Sequence, residues 1–313
     1  MTDAACIQDQ VGAQIHEALF YRDRDEYVAG VIGFVRPGLE AGEAVAIAVP
    51  PPNAKLLGTV LNGSASRVQF LNMYELGHNP ARIIPAVQAM IERSDGRLHY
   101  VGEPIWPGRS AEEIREATRH EALINLAWPD ADIRVLCPYD ARALEDSVLA
   151  DAERTHPYIA HGDAPKPSDA YRWSSIPPAC EAPLPAPPPD AATCTFSVED
   201  LGRLRALVSA QAAAAGMAPL RASDLTLAVN ELATNTIRHA RLPGRLSVWS
   251  SGGHVVCQIQ DSGYIADPLA GRRRPASPGQ GGLGLWMVNQ LCDLVEIRTG
   301  TGGTTVRVRA AVR

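Results

Sequence analysis

The segment NELATNTIRHA, Asn230 to Ala240, sets Glu231, Asn235 and His239 at intervals of four residues inside what otherwise reads as a buried helix. At that interval side chains leave the helix on one side and can look into one space. Leu225, Ala228, Val229, Leu232 and Ile237 supply a neighbouring apolar face. Polar groups one turn apart beside such a face either bond to each other or serve a ligand. Downstream, DSGYIADP closes a strand pattern with Asp261 and Gly263. There a carboxylate can accept a hydrogen bond from an adenine amino group, and a glycine admits the ring close to the backbone. In GQGGLGL, Gly279, Gly281, Gly282 and Gly284, with Leu283 and Leu285, open a helix whose first N–H groups can surround phosphates. Each cluster alone also suits an ordinary turn or an internal bridge, but the three in this order point to a nucleotide site.

The elements that must position these residues fall into two sets, divided by the proline-rich IPPACEAPLPAPPPDAA, Ile176 to Ala192. Prolines remove backbone donors and favour extended chain, so residues 176–193 are expected to form a semi-rigid spacer between a domain at 1–175 and a domain at 194–313. Before the spacer, five strand-then-helix units begin at HEALFY, AVAIAVP, RVQFLN, RLHYVGEP and IRVLCPYD. This alternation predicts an α/β domain with an open, mostly parallel sheet and helices on both faces, where ligands sit beyond the carboxyl ends of the strands. After the spacer come a strand and helix capped by Ser197 with Asp200, the helix LRASDLTLAVNELATNTIRHA, and two strands joined at Gly252 and Gly253. The glycine-rich loop, the helix GLGLWMVNQLCD and two final strands complete an expected α/β sandwich, helices covering one face of a mixed sheet.

Composition narrows the function classes. The chain has 313 residues, 46% of them hydrophobic, and a formal net charge of -6. Residues 1–176 carry 16 basic and 25 acidic side chains, whereas residues 194–313 carry 13 and 8. A mildly basic second half suits an anionic ligand or an acidic protein partner. Its scattered charges lack the pattern of a nucleic-acid recognition helix, so no direct nucleic-acid binding is expected. Six widely spaced cysteines without a CxxC pair are expected to be reduced thiols rather than a structural metal site. The absence of a signal-peptide pattern and of a long apolar run predicts a cytoplasmic protein that does not enter a membrane.

Glu231 and Asn235, Asp261 and Gly263, Gly282 to Leu285, and Gly303 with Thr304 together resemble the ATP-binding fold shared by gyrase, Hsp90 chaperones, histidine kinases and MutL. Within it they are most similar to the anti-sigma factor serine/threonine kinases. The resemblance covers roughly residues 194–313 and implies ATP and Mg²⁺ as cofactors. It implies that Asn235 holds Mg²⁺ with the phosphates and that Glu231 is the catalytic base toward a Ser/Thr hydroxyl on a partner. Asp261 would read adenine, Gly263 would shape that wall, Gly282 and Gly284 would line the phosphate loop, and Thr304 would lie near the nucleotide. His239 is either an accessory group closing the pocket or a structural histidine. Arg272, Arg273 and Arg274 either reach phosphates or an acidic partner, or belong to a solvated lid. Ile265 stands where many members of the superfamily have a second glycine, which implies altered packing beside adenine. A histidine autokinase would need a dimerising hairpin with an exposed phosphoacceptor, and the proline-rich 176–193 cannot form one; His120-Glu121 only superficially resembles such a pair.

HEALFYRDRDEYVAGVIGFVRPGLEAGEAVAIAVP, FLNMYELGHNPARIIPA, YVGEPIWPGRSAEEIREATRHEALINLAW and VLCPYDARALEDSVLADAERTHP are similar to successive blocks of the MEDS sensory domain. That resemblance implies a RecA-like sheet, yet no GxxxxGK[ST] loop is present, so ATP hydrolysis is not expected of this half. Candidate sensory residues are His16, Tyr74, Asn79, Arg82, Glu103, Trp106, Arg109, Glu121, Cys137, Tyr139, Asp140 and His156, each of which also has an ordinary structural role open to it; a redox or metal role for Cys137 with His16 or His156 is a further alternative, with no short ligand spacing behind it. The expected function is a signal-responsive regulator that binds ATP-Mg²⁺ and phosphorylates Ser/Thr of an anti-anti-sigma (STAS-type) partner, sequesters a sigma factor, or does both. The alternative is a non-catalytic ATP-binding scaffold whose partner binding the N-terminal sensor controls. A small-molecule signal and a homodimer through the sheet side are further implications of the two resemblances.

Overall fold

The computed structural model describes residues 14–161, 164–173, 176–240, 243–275 and 282–312. The chain divides into two compact units, Met1–Cys180 and Glu181–Arg313.

The first unit runs β1 (Ile15–Tyr21), α1 (Arg24–Ala41), β2 (Ala44–Val49), α2 (Pro51–Leu61), β3 (Val68–Asn72), α3 (Met73–Leu76), α4 (Ile83–Ile91), β4 (Leu98–Gly102), α5 (Ala111–Ala127), β5 (Ile133–Asp140), α6 (Asp146–Thr155), β6 (Tyr158–Ile159) and β7 (Lys166–Pro167). Asp23 starts α1 by accepting from the backbone N–H groups of Asp25 and Glu26, and Gly42 ends it in the left-handed conformation. A reciprocal Ser110–Glu113 capping box starts α5. The seven strands lie in the order β3-β2-β4-β5-β1-β6-β7. The pairs among β1 to β6 are parallel, and only the short β7 runs antiparallel, against β6.

Strand alternation separates the two faces of this sheet. Leu19, Val101 and Leu136 share a core with Tyr27, Val31 and Val35 of α1 and Leu57 of α2. His16 and Cys137, on the opposite side of β1 and β5, meet Glu121 and Asn125 of α5. Helices therefore cover both faces; the α5 side of these two strands carries the His16–Glu121–Cys137 cluster, and the α1 side carries the buried Glu17 paired with Arg134.

The proline-rich segment departs from a bare spacer. It contains a one-turn helix, α7 (Pro178–Glu181), with Cys180 buried. Within the second unit, the backbone carbonyls of Ala182 and Pro185 accept hydrogen bonds from Arg298 and Arg307. Carbonyls left without ladder partners by a proline-rich, extended chain are free to accept from arginines of the neighbouring sheet.

The second unit continues with β8 (Ala192–Phe196), α8 (Leu201–Ala214), α9 (Pro219–His239), β9 (Gly244–Ser251), β10 (His254–Asp261), α10 (Leu283–Leu291), β11 (Leu294–Gly300) and β12 (Gly303–Ala311). Ser197 and Asp200 form the expected capping box ahead of α8. The sheet order is β11-β12-β10-β9-β8, and all four neighbouring pairs are antiparallel, so the sheet is not mixed. Hairpin connections impose that direction: Gly252 and Gly253, both at positive φ, turn β9 directly into β10. Leu225, Val229 and Leu232 of α9 pack with Val255, Ile259, Val306 and Val308 on one sheet face. Burying each of the larger α9 side chains contributes about 1.5–3 kcal/mol, which holds the polar side of α9 at a fixed height above the strand ends. The alternate residues of the same strands, Gln258, Glu296, Arg298 and Arg307, make the other face polar.

Candidate functional site

A cavity of about 500 Å³ opens between α9, the end of β10, the start of α10 and β12. Asn235, Thr236 and His239 line it from α9, Asp261 and Gly263 from the end of β10, Gly282, Gly284 and Leu285 from the α10 start, and Thr304 from β12. Leu232, Ile259 and Val306 form an apolar floor. Three sequence clusters up to about seventy residues apart thus converge on one space. Gly279 and Gly281 lie outside the described residues.

Asp261 is aimed by two hydrogen bonds. Thr236 Oγ1 donates to its Oδ2 at 2.6 Å, and the backbone N–H of Gly263 donates to Oδ1 at 2.8 Å. Both oxygens keep a further lone pair for a donor in the cavity. A Cβ on Gly263 would come within 3.0 Å of the Ala240 Cβ, so the glycine allows this wall to lie against the end of α9. Thr304 Oγ1 donates to the Gly263 carbonyl at 3.0 Å and sits 2.9 Å from Thr299 Oγ1. The backbone N–H of Ile265 donates to Thr299 Oγ1 at 3.1 Å, which anchors the segment bearing Ile265 to β11. Gly303 makes this pairing sterically accessible: at φ +106 a Cβ there would lie 2.0 Å from the Asp261 carbonyl oxygen.

At the other end of the cavity Gly284 sits under the polar side of α9. A Cβ on Gly284 would be 3.1 Å from Glu231 Oε2 and 3.3 Å from Asn235 Nδ2, so only a glycine lets α10 begin this close to both groups. Gly282, at φ +79, caps α10 in the left-handed conformation. Among the described residues neither the Glu231 carboxylate nor the Asn235 amide has a hydrogen-bonding protein partner, so the two do not bridge to each other. Convergent polar groups left open beside a helix start and an apolar floor suit a ligand that is anionic at one end and flat at the other. The donor set fits a purine nucleotide: a carboxylate for the amino group, an apolar floor for the ring, and an amide oxygen beside a helix N-terminus for a metal-bound phosphate.

His239 lines the cavity from the exposed end of α9. The three arginines separate: Arg272 is buried, whereas Arg273 and Arg274 are exposed, and none lines the cavity. The turn before them is pinned to α10, where Asn289 Nδ2 donates to the Gly271 carbonyl at 3.0 Å. Sequence reasoning passed over Thr236 and Thr299, the hydroxyls that aim Asp261 and anchor the wall. Thr236 follows Asn235 directly, but only the fold shows that it faces the end of β10.

The N-terminal candidates form three groups. Glu103, at the end of β4, accepts from Tyr27 Oη at 3.2 Å and from Asn53 Nδ2 at 2.9 and 3.1 Å. Burial pushes its pKa up to about 7, against the opposing effect of those hydrogen bonds. Tyr27 and Asn53 also line a crevice of about 560 Å³ with Tyr21, Asp23 and Asp140, beyond the carboxyl ends of β1 and β5. Arg109 ties loops together: its guanidinium donates to the carbonyls of Gly77, Pro104 and His78 and lies 4.2 Å over the Trp106 ring, which faces Tyr74. Asn79 caps the turn at Pro80–Arg82. The third group is fully buried: His16, Glu121, Cys137 and His156, from β1, α5, β5 and the end of α6, are at most 1% exposed. His16 Nε2 lies 3.1 Å from Glu121 Oε2 and 3.4 Å from Cys137 Sγ, and Glu121 Oε2 is 3.2 Å from the same sulfur. His120, on the next position of α5, is 1% exposed, which does not suit a phosphoacceptor.

Comparison with known families agrees with this division. Residues 15–157 match the model of the MEDS domain, the methanogen/methylotroph, DcmR sensory domain. Residues 194–310 match that of the histidine kinase-like ATPase domain. The chain is therefore a MEDS sensory domain fused to a histidine kinase-like ATPase domain. A search of curated proteins found no match. Among solved structures, the RsbU and RsbW domains of Rv1364c from Mycobacterium tuberculosis are similar at 20% identity and a TM-score of 0.31, over 40% of this chain and 33% of that one. The chain thus spans about a third of that protein's length. The Acinetobacter baumannii histidine kinase AdeS is similar at 12% identity and a TM-score of 0.24, over 39% of this chain and 68% of that one. Likenesses at these scores carry no argument about activity. No helix among the described residues is long and apolar enough to cross a membrane.

Proposed function

We propose that the second unit binds ATP-Mg²⁺ and transfers the terminal phosphoryl group to a Ser/Thr hydroxyl of an anti-anti-sigma (STAS-type) protein, under control of the MEDS domain. One observation carries this reading: Glu231 and Asn235, without a protein partner among the described residues, stand over Gly284, and the cavity that Asn235 and Gly284 line holds the doubly aimed Asp261 at its other end. Asp261 accepts from the adenine amino group, and Leu232, Ile259 and Val306 support the ring. The Asn235 carboxamide oxygen is the group suited to Mg²⁺, a hard cation that takes oxygen ligands. Bound Mg²⁺ neutralises the phosphate charge that otherwise repels an incoming hydroxyl. Glu231 accepts the hydrogen bond of that hydroxyl and orients it. In a loose transition state the proton moves late, so the carboxylate acts chiefly by orienting the hydroxyl.

In this reading the MEDS domain has a RecA-like sheet without a phosphate loop, and the crevice beside Glu103 receives the signal. Sigma-factor sequestration and self-association through the outer sheet face belong to the same proposal. On that face the linker carbonyls of Ala182 and Pro185 already hold Arg298 and Arg307. Labelled ATP incubated with the full chain and an anti-anti-sigma protein tests the kinase reading. Label should pass to the partner and disappear with Glu231→Ala while nucleotide binding persists. Retained nucleotide and partner binding with no label in either case would identify a non-catalytic scaffold instead.

A further inference from the structure

We propose that His16, Glu121, Cys137 and His156 form a buried, closed binding site for one divalent transition-metal ion of the zinc class. One donor atom from each residue, four in all, lies within 4.8 Å of the other three. Four of the six separations among these atoms are 3.1, 3.2, 3.3 and 3.4 Å, close to the tetrahedral edge of about 3.3–3.6 Å that ordinary zinc bond lengths give.

The outer hydrogen bonds fix which ring nitrogens can serve. His156 Nδ1 lies 2.7 Å from the Ala152 carbonyl, which can only accept, so Nδ1 carries the proton and Nε2 presents a lone pair. Asn125 Nδ2 donates to the Thr155 carbonyl at 2.7 Å, which turns Asn125 Oδ1 toward His16 Nδ1 at 3.0 Å. His16 Nδ1 is therefore also the protonated nitrogen, and its Nε2 faces inward. Two imidazole lone pairs and a carboxylate thus converge on a thiol whose single proton cannot satisfy all three. Among the described residues, His156 Nε2 approaches Glu121 Oε2 at 3.3 Å without a hydrogen bond, and the buried Glu121 Oε1 has no partner. Such a set repels itself unless a cation lies among its members.

The donor types select the cation. Two neutral imidazoles, a thiolate and a carboxylate suit a borderline-soft ion, and the two anionic ligands balance its charge in a site shielded from water. Donors held from outside by a carbonyl and a carboxamide are the supporting shell that orients metal-bound histidines. With four protein ligands no coordination position is left for a substrate, so the ion would clamp β1, α5, β5 and the end of α6 rather than catalyse. Entry of the hydrated ion would exchange its water ligands for the four protein donors and release the Cys137 thiol proton to solvent, with no change of oxidation state.

The test uses the untagged full chain expressed in cobalt-supplemented minimal medium, with zinc-supplemented cells in parallel. Elemental analysis should find about one metal ion per chain. The cobalt form should show tetrahedral d–d absorption with a sulfur-to-cobalt charge-transfer band. Cys137→Ser should remove that band, and Asn125→Ala, which leaves all four ligands in place, should weaken retention against a chelator by about 10–100-fold. Circular dichroism and nucleotide binding by the second unit report whether each variant folds. A folded wild-type chain with no retained metal, or with octahedral cobalt absorption and no sulfur band, overturns the proposal and leaves a cluster held by protons alone.

Discussion

The two units handle buried and half-buried polarity in opposite ways. In the first, His16, Glu121, Cys137 and His156 turn their polar atoms on one another in a space closed to solvent. In the second, Glu231 and Asn235 bond no described protein group; Asn235 lines an open cavity, and Glu231 stands beside it over Gly284. Polar side chains that bond each other inside a core specify a fold or enclose an ion, whereas polar side chains left open beside an apolar floor await a ligand. Titratable residues alone would have ranked the closed cluster as the functional site. The unpartnered donor set of the second unit better supports the proposed chemistry.

That contrast can be broken by substitution. The largest effect is expected for Glu231→Ala, which should lower phosphoryl transfer by about 10²–10⁴-fold while nucleotide affinity holds; a quantitative transfer assay beside a binding titration checks it. Gly303→Ala comes next. Its Cβ would press on the Asp261 carbonyl at 2.0 Å, so thermal unfolding should show a loss of several kcal/mol, in line with strained positive-φ positions and overpacking. Thr236→Val removes the hydroxyl that aims Asp261 and should weaken nucleotide binding by about 1 kcal/mol, roughly fivefold, with little change in stability.

Glu103 sharpens the comparison from the other side. Its pKa is raised by burial from the usual 4.5 to about 7, so the native state keeps a proton that the unfolded chain loses. Stability from this group is complete below about pH 4.5 and declines as pH rises toward 7, levelling above it. Glu103→Gln should remove that slope from the variant's own curve, so the difference between variant and wild-type unfolding free energies should grow as pH rises from about 4.5 to about 7. It should also make the protein more stable at pH 8, on the order of 1–3 kcal/mol. A parallel pair of pH–stability curves would show Glu103 to be conventionally exposed in solution.

Much of the second unit was legible because helical spacing is local. Glu231, Asn235 and His239 share one side of α9 by arithmetic, and the glycine clusters announced a tight approach that Gly284 and Gly303 realise. Thr236 and Thr299 were not legible, since their partners are set by how β10, β11 and β12 align. The all-antiparallel sheet likewise follows from hairpin geometry that the order of elements left open. In the first unit the parallel sheet was readable from five repeats of strand and helix. A metal or redox role for Cys137 with His16 or His156 could be raised from the sequence, but not the joining of Glu121 to them, because His16 meets Glu121 and Cys137 across 105 and 121 residues. No short ligand spacing can signal a site assembled by strand register. The proline-rich segment, expected as a semi-rigid spacer, shows contacts its composition does not announce, since the carbonyls of Ala182 and Pro185 accept from Arg298 and Arg307.

The most direct measurement is a calorimetric titration of ATP into the folded full chain with and without Mg²⁺, repeated on Asn235→Ala and Asp261→Asn. Tight, magnesium-dependent binding of one nucleotide per chain is expected, lost in the first variant and weakened about 10–100-fold in the second, as for a hydrogen bond to a charged group. Absence of binding by the folded wild-type chain, or binding unchanged in both variants, would contradict a nucleotide site between Asn235 and Asp261.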